Sequence, residues 1–215
     1  MTTLPGSPID RVLTWSLLVV PVGYLLADLL YALRGWDDPT AGVLHVVFAT
    51  LYGLVALQVV ALTAQRPGWS LAVLLAGAVG TVGNAAYGFE TVHVSLGHTA
   101  LVHTAGAANL IKPYGLAFPL TLFLAAVALV LAGRLSPVTG IVFAITALLW
   151  PVAHIANLGW LAVAVNAALI GVFAQLWHAS RTPGDPGAGD PAPQASHAQL
   201  NPLTRPTPQQ PLRAG

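Results

Sequence analysis

Six long apolar runs separated by short links that carry most of the polar and charged residues dominate the chain, and each run is close to the roughly 20 residues that an α-helix needs to cross the hydrocarbon core of a bilayer. They predict spans at 12–33, 42–64, 69–89, 114–132, 138–157 and 159–177. The first run is too long for the apolar part of a signal peptide, and no small-residue cleavage site follows it, so an uncleaved first span is expected. The fold class predicted is therefore all-α and integral to a membrane. A short N-terminus (1–11) precedes a six-helix transmembrane bundle (12–178), and a Pro-rich, disordered tail (179–215) follows it, since that stretch holds nothing apolar enough to fold.

The segment 91–113 is the ambiguous one. It contains apolar stretches and no charge before Lys112, and could be counted as a seventh crossing. Two histidines near mid-depth would make such a span costly. A seventh span would also erase the asymmetry of basic residues. With six spans, Arg11, Arg66, Arg134, Arg181, Arg205 and Arg213 share one side, against Arg34 and Lys112 on the other. That bias predicts cytoplasmic termini in the cell membrane, with 91–113 forming a longer outer loop that lies at the interface or dips back into it.

Composition agrees with lipid as the main solvent: 56% of residues are hydrophobic and 7% charged, where a soluble domain carries roughly a quarter charged. A formal net charge of +1 leaves no basic face for nucleic acid. The expected partners are the lipid bilayer and either another membrane protein or a second copy of the chain. The absence of cysteine removes disulfides, thiolate metal sites and thiol nucleophiles together.

In the third span Ala72, Ala76, Gly80, Asn84 and Gly88 recur every fourth residue, which predicts a small-residue ridge and a central position for that helix. Ala167, Gly171 and Gln175 form a partial counterpart in the sixth. Pro119 and Pro151 are expected to loosen their helices, as prolines commonly do in membrane spans.

Ionisable residues within spans are costly and point by default to function. Alternating the spans places Asp28, His45, Asn84, Glu90 and His154 toward the outer end, with His93, His98, His103, Asn109, Lys112 and Asn157 beyond them. The competing reading is an interfacial belt, marked also by Tyr24, Tyr31, Trp36, Tyr87 and Trp160, where such groups cost little. Glu90 and His93 would be neighbours if the third helix ran past Phe89. His93, His98 and His103 look like a metal motif, yet steps of five turn a helix by about 140° each, so they share no helical face. His45 and His154, on different spans at similar depth, satisfy one requirement of axial haem ligation.

No GxSxG, HExxH, DDxxD or phosphate-loop pattern occurs. Two function classes follow. One is an outward-facing site built from Asp28, His45, Glu90, His93 and His154 that holds a divalent metal or haem and acts on a lipophilic or redox substrate. The other is a non-enzymatic protein, either a small proton-coupled transporter or an accessory subunit. Whether the chain is an enzyme stays open at this level.

Overall fold

A computed structural model describes residues 7–181. It contains six α-helices: α1 (Pro8–Arg34), α2 (Pro39–Leu62), α3 (Pro67–Ser95), α4 (Ile111–Leu131), α5 (Pro137–Ile155) and α6 (Gly159–Arg181). There is no strand among the described residues. All six helices are long and apolar enough to span a membrane. The segment 91–113 does not cross. Its first residues extend α3, and the rest forms two 3-10 turns, Leu101–His103 and Gly106–Leu110, before α4 begins.

The helix starts are written locally in the sequence. Pro8, Pro39, Pro67 and Pro137 open their helices in the first turn, where a missing N–H costs nothing and φ is already helical. Ser7, Asp38 and Ser136 cap three of them, their side chains accepting from the backbone N–H of Asp10 (3.1 Å), Ala41 (2.8 Å) and Thr139 (3.1 Å). Two corrections to the expected boundaries follow. Residues 8–11 and 179–181, assigned above to the tails, are helical. The expected disordered tail from residue 182 onward, with Arg205 and Arg213, lies outside the described residues.

Each helix packs on its neighbours in sequence, and α6 returns to α1, so the bundle is a closed ring of antiparallel neighbours. Its interior holds Leu17, Tyr24, Tyr52, Phe118, Leu129, Phe143, Leu169 and Phe173, all nearly or fully buried. The outside is a continuous apolar belt that includes Val19, Leu75, Val82, Leu120, Ile145 and Leu148. In water such a surface would be an aggregation liability, whereas hydrocarbon accepts it without cost.

Helix α3 lies in the ring between α2 and α4 and not at its centre. Its small residues serve two neighbours. A Cβ on Gly80 would lie 2.7 Å from the backbone of Phe118 in α4, whereas one on Gly88 would lie 2.7 Å from the backbone of Val46 in α2. Gly83, absent from the predicted ridge, makes the closest backbone approach of the three, against Tyr114. Asn84 is fully buried, while Ala72 and Ala76 are half-buried. The suggested counterpart Ala167, Gly171 and Gln175 is exposed on α6, which packs on α1 and α5 instead.

At the end of the ring that carries the chain termini, arginines close helix ends reciprocally. Arg134 Nε donates to Leu62 O at the end of α2 (3.2 Å), and Arg66 Nε donates to Leu131 O at the end of α4 (3.0 Å). Each supplies a hydrogen bond to an otherwise orphaned carbonyl and a positive charge to the negative end of a helix dipole. Arg181 lies over the rings of Trp177 (4.6 Å) and Trp15 (5.6 Å), linking α6 to α1.

Close approach at Gly80 predicts that Gly80→Ala lowers stability by about 1–3 kcal/mol through overpacking. Gly171→Ala, where an added Cβ meets nothing within 4 Å, should leave stability unchanged or slightly raised. Thermal unfolding in detergent compares the two. Equal losses would remove the glycine contacts as the basis of α3 packing.

Candidate functional site

The opposite end of the ring, where α3 and α4 are joined by the long connection, encloses a cavity of about 670 Å³. Tyr31, His45, Tyr87, Glu90, Leu116, Trp150 and His154 line it from five helices. Trp36 contributes from the α1–α2 link, and Ala100, Val102 and His103 from the α3–α4 connection. Trp36 is held in place by its Nε1–H, which donates to the backbone oxygen of Asn157 (2.8 Å). Asn157 has a left-handed φ of 55°, a conformation that asparagine tolerates better than most side chains.

Beneath the cavity lies Asp28, fully buried and tied to two helices at once. Asn166 Nδ2 of α6 donates to its Oδ2, and His154 Nε2 of α5 lies 3.2 Å from its Oδ1. The other imidazole nitrogen decides the protonation count. His154 Nδ1 is 2.9 Å from the backbone oxygen of Trp150. A carbonyl oxygen only accepts, so this contact is a hydrogen bond only when Nδ1 carries the hydrogen. With Nδ1–H in place, the Nε2···Oδ1 contact is a hydrogen bond only if it too contains a proton. A neutral Nε2–H imidazole beside carboxylate makes only the Asp28 bond; imidazolium with carboxylate, or Nδ1–H imidazole with carboxylic acid, makes both. The last two forms hold one proton more than neutral histidine beside ionised aspartate.

His45 is built differently. Its Nε2 lies 3.0 Å from Asn84 Oδ1 and 2.9 Å from the Tyr24 hydroxyl, and the Tyr24 hydroxyl itself donates to Asn84 Oδ1 (3.0 Å). Its Nδ1 faces the Tyr31 hydroxyl at 3.3 Å, and the same hydroxyl lies 3.1 Å from Thr91 Oγ1. A neutral Nε2–H imidazole can donate to Asn84 Oδ1, and the single hydrogen of the Tyr31 hydroxyl goes either to Nδ1 or to Thr91 Oγ1. This network joins α1, α2 and α3 at the level where the first pair joins α1, α5 and α6. The two imidazoles stand 6.4 Å apart, centroid to centroid.

Aromatic rings connect the cavity to the core. Trp150 stacks on His154 at 3.9 Å, Phe118 meets Trp150 at 5.1 Å, and Tyr52 meets Phe118 at 5.0 Å. Two polar atoms of the cavity-lining residues are buried without a protein partner, Glu90 Oε2 and the indole Nε1–H of Trp150. Buried groups of that kind are rare in folded proteins and call for a ligand or solvent partner.

The residues singled out in the sequence separate into two groups. His45, Glu90 and His154 share the cavity wall, and Asp28 joins them through His154. His93 and His98 are not among the lining residues; they stack on each other at 4.7 Å. Helix α3 does continue past Phe89, yet Glu90 Oε1 accepts from Val102 N–H in the connection (3.3 Å) and does not pair with His93. His103 lines the cavity apart from that stack. No group of three or more His, Asp or Glu side chains suited to a metal ion occurs among the described residues. Tyr24 and Tyr31, placed in the alternative headgroup belt, are buried within the bundle, whereas Trp160 is exposed at 62%. Asn166, Tyr31 and Trp150 were not proposed as site residues. Asn166 carried a signal of its own, an amide near the middle of a largely apolar span.

Removing Asp28 strands His154 and Asn166 below the cavity. Asp28→Ala is expected to cost about 3 kcal/mol or more, as breaking a buried pair does, and thermal unfolding in detergent reads the loss. Imidazole nitrogen chemical shifts should show His154 Nδ1 protonated; an unprotonated Nδ1 would exclude the proton count given above. Comparison with protein-family models, curated proteins and solved structures finds no match, so the chemistry of this multi-pass helical membrane protein has to be read from its own cavity.

Proposed function

We propose that the protein binds a small amphipathic molecule in the end cavity and exchanges a proton with it through His154, backed by Asp28. One observation carries this reading: His154 faces an acceptor-only carbonyl on one nitrogen and Asp28 on the other, at the wall of a cavity, an arrangement that can hold a transferable proton beside a ligand. The size and aromatic walls suit a drug-sized, partly apolar ligand. His45 supports the wall by fixing α1 against α2 and α3.

Metal or haem ligation has less support. Each ring nitrogen of His45 and His154 already faces a protein partner; ligation would have to displace such a contact permanently, whereas proton exchange needs the contact of His154 Nδ1 with the Trp150 carbonyl to open only transiently toward the ligand. Proton-coupled transport would use the same pair. It requires a path through the other half of the ring, which Leu17, Leu129, Phe143, Phe173 and Leu176 fill. The arginine bias supports cytoplasmic termini in the cell membrane, with the cavity opening to the outside.

Two expectations follow. Reporter fusions at the C-terminus and in the link after Arg34 should report opposite sides of the membrane; the same side for both would overturn the orientation. In a thermal-shift screen of amphipathic weak acids, weak bases and neutral compounds, at least one should stabilise the detergent-purified protein, by RT ln(1 + [L]/Kd). That stabilisation should disappear in Ala100→Trp, which fills the cavity, and its dependence on pH should be lost in Asp28→Asn. Unchanged pH dependence in Asp28→Asn would rule out proton exchange through the pair.

A further inference from the structure

The cavity wall contains a carboxylate that the protein leaves half unpartnered. Glu90 is 7% exposed, and its only hydrogen bond among the described residues is the 3.3 Å contact from Val102 N–H to Oε1. Oε2 is buried with no donor. An ionised carboxylate removed from water is unfavourable unless a cation or several donors meet it. The neighbouring bases do not supply one. Lys112 lines the same cavity but is exposed, and no ion pair joins it to Glu90. Four aromatic residues, Tyr31, Trp36, Tyr87 and Trp150, line the same cavity as Glu90. Aromatic faces attract cations through the ring quadrupole, and their attraction grows when water is excluded.

We infer that the ligand of this cavity carries an organic ammonium group, with Glu90 as its counter-ion and the aromatic wall as its cage. The inference rests on the ligand-binding reading above and names the class of ligand. A buried acid with a free oxygen, a box of aromatic rings and a cavity too large for a bare metal ion together select an alkylammonium over an inorganic cation. The same group can come from a soluble amine or from the headgroup of a choline or ethanolamine lipid.

The test uses the full-length protein in a maltoside detergent and three probes of one shape, phenylbutylamine, phenylbutanol and phenylbutyrate, followed by fluorescence of the cavity tryptophans. Signal that persists in Ala100→Trp is micelle partitioning and is subtracted. The amine is expected to bind about tenfold tighter than the alcohol, a difference of about 1.4 kcal/mol. Glu90→Gln should bring the amine down to the affinity of the alcohol while leaving the alcohol unchanged, which also shows that the variant is folded. Preference for phenylbutyrate, or amine binding indifferent to Glu90→Gln, overturns the ammonium assignment and leaves the ligand-binding reading standing. If none of the three probes binds in a way that Ala100→Trp blocks, both fall. Repeating the titration in nanodiscs separates the sources. Weaker amine binding in phosphatidylcholine than in phosphatidylglycerol discs marks the lipid headgroup as the competing occupant, and equal binding marks a soluble amine; either result supports the ammonium class.

Discussion

A polar side chain on a helix surrounded by hydrocarbon has one escape, which is to turn inward and find a partner on another helix. This constraint organises the ring. Asp28 turns toward α5 and α6, where His154 and Asn166 meet it, and His45 turns toward α1 and α3, where Tyr24, Tyr31 and Asn84 meet it. Both sets converge on α1, which thereby makes side-chain hydrogen bonds to α2, α3, α5 and α6. Helix α4 joins by shape instead, its backbone at Tyr114 and Ala117 drawn against Gly83 and Gly80. Polar pairing thus fixes helix rotation around α1, while glycine contacts fix the distance between α3 and α4.

The spans were legible because long apolar runs have no other solvent, whereas the prolines that open four of the six helices were signals the expected boundaries did not use. Depth was legible as well, since alternation of direction assigns every residue an end. Rotation about the helix axis was not. A step of four residues advances a helix by about 40° beyond a full turn. From Ala72 to Gly88 the predicted ridge therefore drifts by about 160°, which is why Gly80 reaches α4 and Gly88 reaches α2. The same blindness joined Glu90 to His93 on spacing alone, although three residues separate their directions by about 60°. Glu90 turns inward to the cavity and His93 toward His98.

The candidate site was half legible for a related reason. Ionisable residues stand out in an apolar chain, so Asp28, His45, Glu90 and His154 were visible. Their partners were hidden among residues with ordinary alternative explanations. Tyr31 and Trp36 read as interface markers, and Trp150 carried no signal of its own. Charge carried a similar ambiguity at the opposite end, where Arg66 and Arg134 count toward orientation and also terminate α4 and α2. One side chain can satisfy both demands, because helix C-termini on that side present carbonyls at the depth where an arginine already belongs.

The distance along the chain between Asp28 and its partners has a consequence for biogenesis. His154 lies 126 residues later and Asn166 lies 138 residues later. At synthesis rates of about 5–20 residues per second, α1 exists for roughly 6–25 s before the first of them emerges. Throughout that interval its carboxylate has no native partner within the bilayer. Until the ring closes, α1 has to keep Asp28 protonated, hold it near the headgroups, or shelter it against the insertion machinery.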